Sequence, residues 1–504
     1  MNLDALYTYV LNSIALLQPE VIVTIGLLGV LIIDLFTPKS MHKWSAGVFL
    51  GVMVLALISL SGQSGVQASV FFGMIAVDGY AVFFKYLFLV SAILATLITL
   101  FSDEMDRNGR RFGDYFIVMA GLVLGMMLMA GANNLLMMFI SIELVSLASY
   151  ILVSYLKDEK TSNEAGVKYI IYGAFSSGLM IYGISLIYGI TGTLSISEIN
   201  EVLKNPAVVI DPVTLTIAVL LTLGGFGYKI AAAPFHFWAP DAYEGAPTPV
   251  AAFLSVGPKA AGFAMMLRFF KTIFFGTSTP EGYQILDNID WVSILAAVSV
   301  LTMTIGNVTA LWQQNVKRML AYSSIAHAGY ILMGVILLSD SGIAAMMFYL
   351  AYYLIMNLGV FFTAMLIADK VQSFELDDWR GMGFRAPVLA IPMVIFLASL
   401  IGIPGTVGFA GKFLLFVAVL QQGSLYFWLA LIAVANSVVS AFYYFKVVKM
   451  MYLKKPVENA DGPISVSIPA TVLVFVFAVP TIVLGLWWQP LYNWALASVR
   501  MLVG

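Results

Sequence analysis

Apolar residues fill this chain in long unbroken stretches separated by short polar breaks. A transmembrane barrel strand would alternate in polarity over about ten residues, so continuous runs of about twenty favour membrane-crossing helices. Such runs fall near 13–36, 44–61, 79–102, 113–130, 134–156, 164–190, 214–239, 247–270, 291–311, 319–339, 342–368, 387–420, 426–448 and 466–488. The pattern predicts an all-α polytopic membrane protein with about fourteen transmembrane helices.

Two of these spans are interrupted. The seventh reads GGFGYKIAAAPFHFWAP, with Pro234 inside it, and the twelfth reads IGIPGTVGFAGKF, with Pro404 among four glycines. Proline removes a helical hydrogen bond, and backbone groups freed at membrane depth survive only inside protein or beside water. The two breaks lie five spans apart, and an odd offset means that the helices cross in opposite directions, as in an inverted repeat. The expected organisation is a three-helix segment over 1–112, a first five-helix repeat over 113–272, a second, inverted one over 288–455, and a last span within 456–504. Direct identity between the two halves is weak.

Composition agrees. Of 504 residues, 61% are hydrophobic and 10% charged, against roughly 45–50% and 25% in soluble domains. A soluble enzyme and a disordered chain are both excluded. A net charge of −2 argues against a nucleic-acid partner. The absence of cysteine removes disulfides, thiolate zinc sites and iron–sulfur ligation. The three histidines (His42, His236 and His327) are too scattered for a metal site. No basic leader followed by a cleavage site is visible at the N-terminus.

Basic residues set the orientation. The odd-numbered connections hold Lys39, Lys43, Arg107, Arg110, Arg111, Lys157, Lys160, Lys317, Arg318, Lys370, Arg380, Arg385, Lys446, Lys449, Lys454 and Lys455. The even ones and the termini hold only Lys204, Arg268, Lys271 and Arg500. This bias places the odd connections in the cytoplasm and both termini outside.

The other five lysines, Lys85, Lys168, Lys229, Lys259 and Lys412, fall inside spans, where a mid-bilayer lysine costs about 2.5–3.5 kcal/mol on insertion scales. Lys168 is near a cytoplasmic helix end and can snorkel; for Lys85 this is less comfortable. Lys229 precedes the first break, Lys412 follows the second, and Lys259 follows Gly257 and Pro258. Glu143 lies near the middle of the fifth span, and Glu20 and Asp34 near the ends of the first. Glu143 and Lys229 would offset one another if the fifth and seventh spans touch. One reading is a structural ion pair. The other is a switch, in which parting the pair releases a proton from the lysine and rejoining it recaptures one. His327, beside Ser323, Ser324 and Tyr330, suits a relay between Lys259 and Lys412, or ordinary hydrogen-bonded packing. His236 fits packing as well as it fits a proton role. Together these residues suggest a polar proton route along the bilayer plane. No phosphate loop, haem or flavin signature offers an energy source, so a pump of this kind needs a partner to drive it.

The stretch PFHFWAPDAYEGAPTPVAAFLS (234–255) closely resembles the signature of the antiporter-like membrane subunits of respiratory complex I, NADH:quinone oxidoreductase, and its YEGAPTPV wording favours the N type. ISIELVSLASYILVSY (140–155), AGVKYIIYGAFSSG (165–178), KRMLAYSSIAHAGY (317–330) and GIPGTVGFAGKF (402–413) extend the resemblance over essentially the whole chain. It implies fourteen helices with two inverted five-helix repeats and broken seventh and twelfth helices. It also implies a proton path through Glu143, Lys229, Lys259, His327 and Lys412, with Lys168 matching a further lysine of N-type subunits. The M type carries glutamate where Lys412 stands. The implied setting is a bacterial inner membrane, with M-type and K-type neighbours and a peripheral redox arm. Quinone and NADH, or another donor, are used by the assembled complex, and this chain binds no cofactor or metal itself. The alternatives are a subunit of a multisubunit cation/proton antiporter and a purely structural scaffold. A sodium site would want more oxygen ligands than Glu143, and a scaffold leaves five lysines at membrane depth unexplained.

Overall fold

The computed structural model describes residues 3–37, 43–107, 112–279, 282–286, 288–421, 424–456 and 462–502. Lys39, His42, Arg110 and Arg111 lie outside them. Among the described residues thirteen helices are long and apolar enough to cross a membrane, and two shorter ones, Pro387–Ile401 and Val407–Leu420, together complete the twelfth of fourteen crossings.

In chain order the crossings begin with Gln18–Phe36, Trp44–Leu60, Gly79–Thr99, Phe112–Gly131, Leu135–Val153 and Lys160–Thr191. The seventh is Pro212–Ile230 resuming as Trp238–Gly245, and the eighth is Thr248–Leu254 resuming as Gly257–Ile273. Trp291–Ala310, Val316–Leu337 and Asp340–Val371 follow, then the split twelfth, then Ser424–Leu453 and Ile468–Leu486. The eighth, tenth and eleventh are almost wholly enclosed by the others, whereas the sixth, ninth and thirteenth turn most of their surface outward.

Both predicted interruptions are present. The seventh helix stops where Ala231 adopts φ +57°, and it resumes beyond Pro234. The twelfth stops at Gly402, whose φ of +92°, like the +90° of Gly405, is open to glycine at little cost. Gly408 opens the second half against the Ser399 carbonyl, so closely that a β-carbon there would collide with backbone. Gly408→Ala is therefore expected to lower the amount of the chain in the membrane severalfold, as measured by immunoblot of membranes against a Gly121→Ala control, where there is room for a methyl.

Several expectations need correction. The eighth span is not continuous: it pauses at Ser255–Val256, and Pro258 sits in the first turn of the second half. The first span is preceded by a separate helix, Leu3–Leu16, so the run from 13 spans a junction at Leu17 rather than one helix. After the last span, helix Gln489–Arg500 packs against the third and eleventh spans, with Trp494 and Phe83 ring centroids 4.6 Å apart. Two antiparallel hairpins, Ala68–Val70 with Ile75–Val77 and Phe275–Thr279 with Gly282–Ile285, also join the helices.

Two basic residues assigned to loops are interior. Arg268 is fully buried in the eighth span and grips Asp78 with two nitrogens, at 2.9 and 3.0 Å, while its Nε donates to the Ala130 carbonyl. Asp78 also caps the third span by accepting from the Ala81 amide at 2.7 Å. One carboxylate thus ties the start of one span to the cation of another. Lys317, placed in a connection, is only 3% exposed. Lys85 does not snorkel: its ammonium, fully buried, meets Glu20 of the first span at 2.7 Å and Gln63 at 3.1 Å. Charges at this depth persist only when paired or fully hydrogen-bonded.

Candidate functional site

The breaks place the lysines at helix ends. Lys229 lies in the last turn of the first half of the seventh span, where the dipole's negative end favours a cation. Its Nζ donates to Ser146 Oγ at 3.0 Å. Ser146 stands one turn beyond Glu143 on the fifth helix, so the two share a face. Glu143, half-buried, accepts instead from the Ser177 hydroxyl of the sixth span. The structure therefore brings the fifth, sixth and seventh spans together as expected, but with Glu143 and Lys229 each held by a serine rather than by one another.

Lys259 is the third residue of the resumed eighth helix, beside an N-terminal end that opposes positive charge. It donates to Ser324 Oγ at 2.6 Å and lies 5.7 Å from the centre of the Tyr243 ring. Gly262, one turn further along, runs against the stem of Lys229: a β-carbon on it would come 3.1 Å from Lys229 Cγ. The two lysines thus approach across a glycine face.

Ser324 leads to His327 on the same helix. His327 is 2% exposed, and its Nδ1 is 2.7 Å from Tyr349 OH. Its Nε2 is 3.4 Å from Tyr444 OH, which in turn bonds the Ser323 hydroxyl. Lys412 closes the row. Its three ammonium protons reach the carbonyls of Leu400 and Ile401, at 3.1 and 2.8 Å, and Ser437 Oγ at 2.8 Å. Tyr330 offers its ring face at 4.9 Å. Three acceptors for three donors, two of them at a helix C-terminus, is the environment of a charged amine.

Lys168 stands apart from this row. It is half-exposed and pairs with Glu164 and Asp241 at 2.7 and 2.8 Å, while Asp241 and Glu244 hold Arg318 at 2.6 and 2.7 Å. His236 is buried, stacks on Phe237, and finds no partner for Nδ1 among the described residues. Sequence reasoning missed the hydroxyls that space the row: Ser146, Ser177, Tyr243, Tyr349, Tyr353, Tyr444 and Ser437. The tyrosine pairs Tyr352–Tyr353 and Tyr443–Tyr444 inside otherwise apolar helices were the available signal.

Half-helices ending on buried amines that are joined by hydroxyls and an imidazole make up an ion-conducting membrane bundle of the antiporter type. Residues 132–440 match the model of the family described as "NADH:quinone oxidoreductase/Mrp antiporter, TM", and the chain belongs to that family. It is 49% identical to the NADH-quinone oxidoreductase subunit N 2 of Chloroherpeton thalassium, over 96% of this chain and 94% of that protein. It is 43% identical to the NADH-quinone oxidoreductase subunit N of Chlorobium chlorochromatii, over 97% and 95%. Among solved structures, a chain of respiratory complex I from Thermus thermophilus with bound aureothin aligns with a TM-score of 0.75 at 30% identity, covering 94% of this chain and 98% of that one. A chain of the Mrp complex from a Dietzia species shares the fold, with a TM-score of 0.82 at 19% identity over 96% of both.

Proposed function

We propose that this chain is a proton-translocating, antiporter-like membrane subunit of a complex I-type NADH:quinone oxidoreductase. It carries no redox chemistry of its own. Electron transfer from NADH or another donor to quinone, in other subunits, drives it. The observation that carries this reading is the buried row Lys229–Lys259–His327–Lys412, bridged by hydroxyls, its lysines hung on the interrupted seventh, eighth and twelfth spans. A proton passes along it by exchange between amines, Ser324 and the imidazole, and Glu143 sets the charge that Lys229 feels. Spans four to eight and nine to thirteen act as two inverted halves. M-type and K-type subunits and a peripheral redox arm are the partners. The membrane is a bacterial inner membrane, with the odd-numbered connections cytoplasmic and both termini outside.

The second reading, a cation/proton antiporter subunit, is supported by the fold shared with the Mrp complex. The row offers one carboxylate, Glu143, whereas a hard cation takes several oxygen ligands. The test is the purified complex in proteoliposomes, with proton and sodium movement followed during donor-driven quinone reduction. Proton transport independent of sodium is expected. Lys412→Met, which removes the amine while the Ile401 carbonyl keeps its bond from Ser437, is expected to cut transport about tenfold or more. Sodium-dependent transport at wild-type yield would favour the antiporter reading.

A further inference from the structure

Among the described residues, those of the row leave open where a proton enters it from the face that bears the odd-numbered connections. A buried lysine outside that row stands where an entry is needed. Lys317, in the first turn of the tenth span, is 3% exposed; it donates to the Ala246 carbonyl at 2.7 Å and lies 5.0 Å from the centre of the Phe374 ring. Phe374 is also a wall of an open cavity of about 220 Å³, lined besides by Glu104, Glu159, Asp369, Gln372 and Ser373. One aromatic ring therefore divides a bowl with three carboxylates from a buried amine. Glu104 is anchored at the bowl's inner edge, accepting from the Thr248 amide and hydroxyl at 3.1 and 3.3 Å, two residues from Ala246.

On the inner side the path continues. Lys317, Ala321 and Ser324 follow at helical spacing on one face of the tenth span, and Ser324 is the hydroxyl that holds Lys259. The Tyr243 and Tyr353 hydroxyls are buried without a partner among the described residues, and the Tyr243 ring lies against Lys259. Other charged groups facing this end of the tenth span are Asp241 and Glu244, which both hold Arg318, Lys168, which pairs with Asp241, Glu375, which accepts from the Asn315 side chain, and Lys446, which donates to the Gln313 carbonyl.

We propose that Lys317 is the proton-loading residue of the row, fed by the carboxylates of this bowl and emptied into Lys259 through the hydroxyls of Tyr243, Tyr353 and Ser324. In the first step a carboxylic O–H of the bowl breaks and an N–H forms on the neutral Lys317 amine; the carboxylate is reprotonated from the aqueous phase. In the second step that N–H breaks, each hydroxyl passes one proton on as it receives another, and the Lys259 amine gains one. Phe374 stands between the two steps. The proposal rests on the proton-translocation reading given above.

The test uses the whole complex in proteoliposomes. Lys317→Arg keeps the positive charge and a donor for Ala246, but a guanidinium does not give up its proton. It is expected to assemble and to lose proton transport by about tenfold or more, as Lys317→Met does. The double variant Glu159→Gln/Asp369→Asn removes charge from the bowl only. With two of the three feeding carboxylates gone, its transport is expected to fall at every pH and to have its alkaline limb displaced downward by about 0.4 pH unit, equivalent to one kT of local potential. Wild-type transport in Lys317→Arg alongside a dead Lys259→Ala overturns the loading role and leaves Lys317 as a tether of the seventh–eighth junction. Transport surviving in Lys259→Ala as well overturns the proton-translocation reading itself. If neither Lys317 variant assembles, the bowl variant decides, and an unmoved alkaline limb refutes the proposal.

Discussion

Lys229→Ala is expected to yield a complex that assembles, reduces quinone slowly and moves no protons. Removing the side chain leaves little damage behind. Ser146, its hydrogen-bond partner, still donates to the Ile142 carbonyl at 2.7 Å, so no buried donor is orphaned. Glu143, half-buried, keeps its bond from Ser177. What disappears is the amine proposed above to trade protons with Lys259 under the influence of Glu143. A positioned proton-transfer group contributes about 10²–10⁴ in rate, so coupled turnover should fall about a hundredfold, read as dye quenching in proteoliposomes beside quinone reduction. Lys229→Arg should fare no better, since it holds its proton. Unchanged turnover and transport in both variants would reduce the row to scaffolding.

The largest loss of stability is expected from Asp78→Ala. This change strands the Arg268 guanidinium, which is 0% exposed, in the middle of three packed spans and removes the cap of the third. Breaking a buried, hydrogen-bonded pair from one side costs about 3–5 kcal/mol, and loss of the cap about 1 kcal/mol more. The variant should be scarce in membranes and inactivate at markedly lower temperature than wild type, measured as residual assembled complex after graded heating. Asp78→Ala combined with Arg268→Met removes both charges and should recover much of the loss. If the single variant proves as heat-resistant as wild type, the pair is not a structural clamp.

Much of this was legible in the linear pattern. Span number, the two broken helices and the membrane-depth lysines follow from apolar run length, from Pro234 and Pro404, and from the cost of burying an amine. Azimuth was not legible. In helices apolar all round, such as the tenth and eleventh spans, no polar face reports which side meets which neighbour. So Lys85 could not be matched to Glu20, nor Arg268 to Asp78, 190 residues away. Lys317 read as a solvated loop cation because it sits at a span's edge beside Arg318. Only the packing of Ala246 and Phe374 over it shows that it is interior. The pause at Ser255–Val256 was hidden for another reason: Gly257 and Pro258 begin a helix as readily as they interrupt one.

The orientation of the half-helices has a consequence for direction of travel. Lys229 and Lys412 rest at carboxyl ends, and Lys259 at an amino end. For a positive particle the row is thus a saddle flanked by two wells, and from the crest either slope is downhill. Such a profile sets no direction of travel by itself. On the proton-translocation reading the chain by itself is then a reversible conduit, and the arrow is imposed by whichever neighbour raises one well at the right moment.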